Sequence, residues 1–254
     1  MGNIKKILVS QPKPAGDKSP YYDIAEKYGV EVVFRPFVKV DPVELKDFRS
    51  QRINLLDFSA VVFTAKTGVD HFFRIVKETR VYIPETMKYF CVTEAIAAYL
   101  QKYIIYRKRK IFFPLTGKMT DLAIQIGKHN KENYLVIMSD VHKDDLLLAM
   151  DAKRIKHKEA VMYRTVSNDF APDEPFDYDV LLFFSPSGIN SLLKNFPEFK
   201  QGNIAIGTFG PTTAKAATEA GLHLHIEAPA PEAPSMVAAL ENFLKKAVSP
   251  KKKK

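Results

Sequence analysis

Two turns in this 254-residue chain carry the same small set of polar residues, a set suited to holding anions. One lies in VVFTAKTGVDHFF at 61–73, with Thr64 and Thr67 ahead of Gly68. The other lies in LLFFSPSGINSLL at 181–193, with Ser185 and Ser187 ahead of Gly188. Each turn follows an apolar run and precedes a helical pattern. Hydroxyls therefore gather at a helix start, where orphan backbone N–H groups and the positive end of the dipole favour negative charge. A second pair of turns repeats the arrangement at a shift of 119, with Phe90-Cys91-Val92-Thr93-Glu94-Ala95 answering Phe209-Gly210-Pro211-Thr212-Thr213-Ala214. Ser and Thr are ordinary N-caps, which accounts for any one of these turns alone. The matched set in both parts of the chain points further, to a receptor for anions.

Other site chemistries fail on spacing. Leu115-Thr116-Gly117-Lys118-Met119-Thr120 resembles a phosphate-binding loop only faintly, since Phe112 stands where the first Gly belongs and Met119 where a Ser or Thr belongs. No GxGxxG follows a strand, which argues against a dinucleotide site. His223 and His225 alternate on one strand and are read as two solvent-facing histidines without a third ligand. The single cysteine, Cys91, excludes an internal disulfide and a Cys-based zinc cage.

The elements that position the turns follow from apolar periodicity. Strands are expected at 4–10, 60–64, 89–92, 111–114, 134–139, 180–184, 204–209 and 223–227. Helices are expected at 21–28, 43–51, 68–78, 94–101, 119–127, 144–152, 188–195, 212–220 and 234–245, and extended stretches at 30–40 and 155–166. Past the shared Gly, Val69, Phe72, Phe73 and Val76 answer Ile189, Leu192, Leu193 and Phe196 as apolar helix faces. Such alternation predicts α/β architecture with parallel sheets covered by helices. A weaker third echo, Met119 to Leu122 against Met236 to Ala239, extends the repeat, so the chain reads as a duplicated α/β domain.

The middle block has four βα units and the last block only three. The N-terminal strand and helix supply the fourth. Residues 1–35 plus 168–254 are thus expected to form one discontinuous domain, with 41–160 inserted and 36–40 and 161–167 as a two-stranded linker. Ligands of open parallel sheets bind beyond the carboxyl ends of the strands, so a hinged cleft rimmed by the hydroxyl turns is the expected site.

The composition, 46% hydrophobic with a net charge of +9, allows two ordinary cores and suggests an anionic partner. The surplus sits in the middle block, where residues 41–160 carry 21 Lys/Arg against 15 Asp/Glu. Its densest run, Arg107-Lys108-Arg109-Lys110, is read as a solvated turn, and the lysines at 251–254 as a frayed tail. Charge alone supports a nucleic-acid-associated factor, with no recognition motif behind it, and nucleic acid is not expected as a partner. Without a signal sequence or apolar span, a soluble cytoplasmic protein off the membrane is expected.

Taken together, the inserted-domain order, Ser185-Pro186-Ser187-Gly188-Ile189, Phe209-Gly210-Pro211-Thr212-Thr213-Ala214 and Tyr163 in Met162-Tyr163-Arg164-Thr165 resemble the uroporphyrinogen-III synthase family. The likeness covers nearly the whole chain. It implies a monomeric cyclising lyase of haem biosynthesis that closes the linear tetrapyrrole hydroxymethylbilane, losing water and inverting the last pyrrole, with no metal or organic cofactor. It further implies substrate contacts at Gln11, Thr64, Lys66, Thr67, Thr93, Ser185, Ser187, Gly188, Thr212 and Thr213, and Tyr163 as the acid. The family position after the first strand commonly holds Arg, and here it is Gln11. A two-lobed, non-catalytic binding protein for small anions would use the same turns and stands as the other reading.

Overall fold

Apolar runs too short for helices and too continuous for a half-exposed sheet become strands buried on both faces. Val180–Phe183 shows how: Val180 and Leu182 face one apolar cluster, with Ile7, Ile24 and Leu240, while Leu181 and Phe183 face another, with Ile189, Leu192 and Ile206. The structure, a computed structural model, describes residues 4–16, 18–171 and 175–248. The lysines at 251–254 lie outside the described residues.

By internal contacts the chain separates into a continuous unit, Val40–Thr165, and a discontinuous unit made of the residues up to Lys39 and from Val166 onward. The strands in chain order are β1 Lys6–Val9, β2 Glu31–Phe34, β3 Val38–Pro42, β4 Ala60–Phe63, β5 Lys88–Cys91, β6 Ile111–Phe112, β7 Tyr134–Ser139, β8 His157–Ser167, β9 Val180–Phe183, β10 Ala205–Phe209 and β11 Leu224–Ala228. The helices are α1 Pro20–Tyr28, α2 Leu45–Ser50, α3 Lys66–Thr79, α4 Glu94–Tyr99, α5 Met119–Gly127, α6 Asp145–Ala152, α7 Pro186–Asn195, α8 Pro211–Glu219 and α9 Met236–Val248.

In the discontinuous unit the sheet order is β11-β10-β9-β1-β2, and every pairing is parallel. The N-terminal strand thus lies inside the sheet made by the C-terminal strands. The continuous unit has the order β3-β8-β7-β4-β5-β6, with β4 to β8 paired in parallel. Superposing the echoes, β4 on β9 and β5 on β10, makes β6-β5-β4-β7-β8 and β11-β10-β9-β1-β2 the same sheet. β7 takes the place of β1, so the chain enters one order at two different strands. The faint echo at Met119 and Met236 falls on α5 and α9, which begin at those residues.

The shared glycines have a common packing reason. A Cβ at Gly68 would lie 3.8 Å from Phe63 Cδ1, and one at Gly188 would lie 3.2 Å from Phe183 Cδ1. In each unit the helix start rests on the last Phe of its strand. Gly207 in β10 is tighter, since an added Cβ would meet Leu182 Cδ2 at 2.5 Å and Ile226 Cβ at 3.2 Å. Gly207→Ala is therefore expected to destabilise the protein by ~1–3 kcal/mol, read as a lowered midpoint in urea at unchanged slope. A midpoint equal to wild type would refute that close packing.

Candidate functional site

In parallel sheets all strand-to-helix turns fall along one edge, the carboxyl edge. In the continuous unit this edge carries Thr64, Lys66, Thr67 and Thr93. Ala65 is the N-cap of α3 and has no side chain to cap with, so the first turn is left to Lys66, Thr67 and Gly68. Thr67 is half-buried and Lys66 exposed, with its ammonium 5.4 Å from the centroid of the Tyr99 ring. Thr93 is a true cap, accepting from Ile96 N at 3.3 Å. A Cβ at Gly117, which has φ +68°, would lie 3.4 Å from Thr93 Cγ2, so the loop ahead of α5 closes on that cap.

Tyr163 belongs to the same edge. It lies in β8 where the pairing with β7 slips, Met138 opposing Val161 and Ser139 opposing Tyr163. The extra residue, Met162, lets two consecutive side chains turn inward, a bulge's usual effect of re-aiming a side chain. Gln51 fixes the strand there: its Nε2 donates to Val161 O at 2.7 Å and its Oε1 accepts from Val161 N at 3.0 Å. The Tyr163 ring, 8% exposed, comes within 3.8 Å of where a Cβ on Gly68 would stand. His71, one turn along α3, stacks on it at 5.5 Å between centroids and 19° between planes.

Burial raises the phenol's pKa above its ordinary value, so Tyr163 is protonated at neutral pH. Burial, and then the charge of Arg74, lower that of His71. Its Nδ1 accepts from Arg74 Nε at 3.4 Å, which leaves the proton of the neutral ring on Nε2. Among the described residues none bonds the Tyr163 hydroxyl. Nearby, Asp140 Oδ1 accepts from Thr165 N and Val141 N at 2.9 Å each and so ties the end of β7 to β8.

The discontinuous unit presents its own edge. Ser185 caps α7, its Oγ accepting from Gly188 N at 3.3 Å, with Ser187 half-buried in the first turn. Ser10 N donates to Leu182 O at 3.0 Å, and Ser10 Oγ lies 3.9 Å from a Cβ built on Gly188, which brings exposed Gln11 beside that turn. The α8 start differs from expectation. Its N-cap is Gly210 at φ +88°, a conformation open to glycine, and Pro211 takes the first helical position. Thr212 and Thr213 therefore sit inside the first turn, Thr212 exposed and Thr213 only 1% exposed. In the continuous unit the residue matching Gly210 is Cys91, which stays in its strand; hence Thr93 caps and Thr212 does not.

One family accounts for this pair of edges. A model of uroporphyrinogen-III synthase HemD matches residues 19–238, most of the chain. The chain belongs to the uroporphyrinogen-III synthase family. Synthases of this family cyclise a linear tetrapyrrole in haem biosynthesis. In fold the chain is similar to uroporphyrinogen-III synthetase from Helicobacter pylori, with a TM-score of 0.60 at 18% identity over 96% of this chain and 100% of that one. It is also similar to a mutant uroporphyrinogen III synthase from the extremely thermophilic bacterium Thermus thermophilus, with a TM-score of 0.53 at 14% identity over 95% and 99%. No curated protein matches by sequence.

Within the continuous unit the Tyr163 ring lies against Gly68, the residue after Thr67, and Gly117 lies against Thr93. His71 and Asp140 escaped the sequence reading; the sole signal for His71 was its place one helical turn after Gly68. Among the described residues no group of three His, Cys, Asp or Glu converges. His223 and His225 do share a face, with rings 4.8 Å apart, yet His225 is half-buried and takes a long contact of 3.4 Å from Ile206 N. Arg107 in the basic run pairs with Glu85 at 2.8 Å.

Proposed function

We propose that this chain closes hydroxymethylbilane to uroporphyrinogen III, with Tyr163 as the acid and the carboxyl-edge turns of each unit holding substrate carboxylates. The observation that carries the reading is the family match across residues 19–238. A substrate with many carboxylates is met best by dispersed hydroxyls and helix-start N–H groups, and each unit has such an edge. Tyr163 gives its proton to the departing hydroxyl, which leaves as water when the C–O bond breaks. The proton that the closing ring system sheds on regaining aromaticity restores the phenol. Uncatalysed closure gives the uninverted isomer, so the turns must hold the last pyrrole in the inverted geometry. On this reading the enzyme is a cytoplasmic monomer; among the described residues no helix is long and apolar enough to cross a membrane.

The deciding experiment supplies freshly made hydroxymethylbilane and separates the uroporphyrin isomers after oxidation. Isomer III above the spontaneous background is expected, and isomer I alone would sink the reading. Thr67→Val and Thr212→Val, one in each unit, should each weaken product binding at least about threefold, with affinity falling as salt rises. Equal affinity in both variants would move the contacts elsewhere.

A further inference from the structure

The apolar face of α3 divides in two. Val69, Phe72 and Ile75 are fully buried against the sheet, whereas Phe73 and Val76 turn to the wall of a cavity of about 360 Å³. Its other walls include Ile83, Tyr103 and Ile104, and Phe73 stacks on Tyr103 at 4.6 Å and 7°. The cavity also reaches Tyr89, near the amino end of β5, whereas the candidate substrate groups lie beyond the carboxyl ends of the strands. It is a separate place in the continuous unit.

Three features give it the character of a ligand site. Tyr89 is 5% exposed, yet its hydroxyl has no hydrogen-bond partner among the described residues. Tyr134, buried in the same sheet, donates to Ile126 O at 3.2 Å and to His129 O at 3.0 Å, as buried phenols do. Burial pushes the Tyr89 pKa up to about 12, so the group is a hydrogen-bond donor at neutral pH. At the rim Arg107 is neutralised by Glu85, but Lys110, also lining the cavity, has no ion-pair partner among the described residues. Tyr82 and Ile105 stand at the mouth, each 79% exposed, as apolar surface that a bound ring would cover.

We propose that this cavity binds an aromatic carboxylic acid of one or two rings, its acid at the rim beside Lys110 and a hydrogen-bond acceptor at its inner end against the Tyr89 hydroxyl. Cavities of a few hundred Å³ with mostly apolar walls and few polar anchors are typical of small-molecule sites. The aromatic walls favour a ring over an alkyl chain, through stacked and edge-on contacts. The unpartnered ammonium selects an anion, and the phenol selects an acceptor at the other end. The proposal stands apart from the cyclase reading and uses none of its residues.

Naproxen, a methoxynaphthalene with a propionic acid at the far end, is a suitable probe because its own fluorescence reports binding to the full chain. Saturable one-to-one binding is expected, weakened at least threefold by Lys110→Gln and by Tyr89→Phe. Lys110 is half-buried, so Lys110→Gln is read for the acid contact only with a thermal midpoint matching wild type. Tyr89→Phe keeps the ring and is expected to melt no lower than wild type. The analogue without the methoxy oxygen should not distinguish wild type from Tyr89→Phe, and the methyl ester should not distinguish wild type from Lys110→Gln. Absence of saturation up to millimolar probe, or an affinity unchanged by both substitutions, would overturn the proposal. So would binding lost in Thr67→Val and Thr212→Val but kept in Lys110→Gln, which would place the probe among the substrate groups.

Discussion

A fragment of residues 38–167 is expected to melt cooperatively on its own, whereas 168–254 is expected to stay unfolded until the N-terminal segment is restored. The first holds β3 to β8 with a single apolar cluster that includes Phe63, Phe72, Phe90 and Tyr134. The second lacks β1, which lies between β9 and β2 and pairs Ile7 with Val180, Leu8 with Leu181 and Val9 with Leu182. Its loss removes Ile7, Leu8, Val9 and, with α1, Ile24 from clusters where all four are buried. At ~1.5–3 kcal/mol for each such side chain the deficit is roughly 6–12 kcal/mol, comparable to the whole stability of a domain. A permuted chain in which 168–254 is followed by a short linker and 4–35 should recover the cooperative transition. A sharp melt from 168–254 alone would show that β1 is dispensable to that core.

Much of this arrangement is legible in the residues because the signals are local. The run at 134–139 is a strand to the residue and the pattern at 119–127 a helix to the residue, each an uninterrupted apolar period between polar turns. The duplication is legible because a buried strand, a capped turn and a glycine under a Phe recur together. Tertiary features are less so. Phe73 and Val76 look like core by helical spacing, and only the segment at 81–83 and the loop at 103–105 show that they face a cavity instead. The bulge at Met162 is invisible, since a continuous apolar stretch hides an extra residue; it is what aims Tyr163 inward. The Thr212 turn misleads because its echo, Thr93, does cap a helix, while Gly210 at positive φ starts α8 earlier. A side chain's role at a helix start depends on one neighbour's backbone angle, and periodicity does not report that angle.

Tyr163→Phe is expected to lower the rate of isomer III formation at least tenfold while leaving product affinity and the thermal midpoint close to wild type. The substitution keeps the ring, and with it the contact with Gly68 and the stack on His71, so packing gives no reason for a large stability change. What it removes is a hydroxyl without a partner among the described residues, the one group of that ring able to give a proton. Loss of a general acid typically costs 10²–10⁴-fold, and the tenfold floor corresponds to ~1.4 kcal/mol of transition-state stabilisation. The pH profile separates this role from a structural one. Burial raises the Tyr163 pKa, so a rate that depends on its proton should hold through neutral pH and fall only above ~10, the ordinary phenol value. Phe at 163 should abolish that basic limb as well as lowering the plateau. Product identity divides the role further: a slow variant that still yields isomer III would leave ring inversion to the hydroxyl turns, and one that releases mostly isomer I would make Tyr163 a positioning group for the last pyrrole too. An unchanged rate with an unchanged profile would reduce Tyr163 to a packing residue of β8 and move the proton donor to another group on the carboxyl edge.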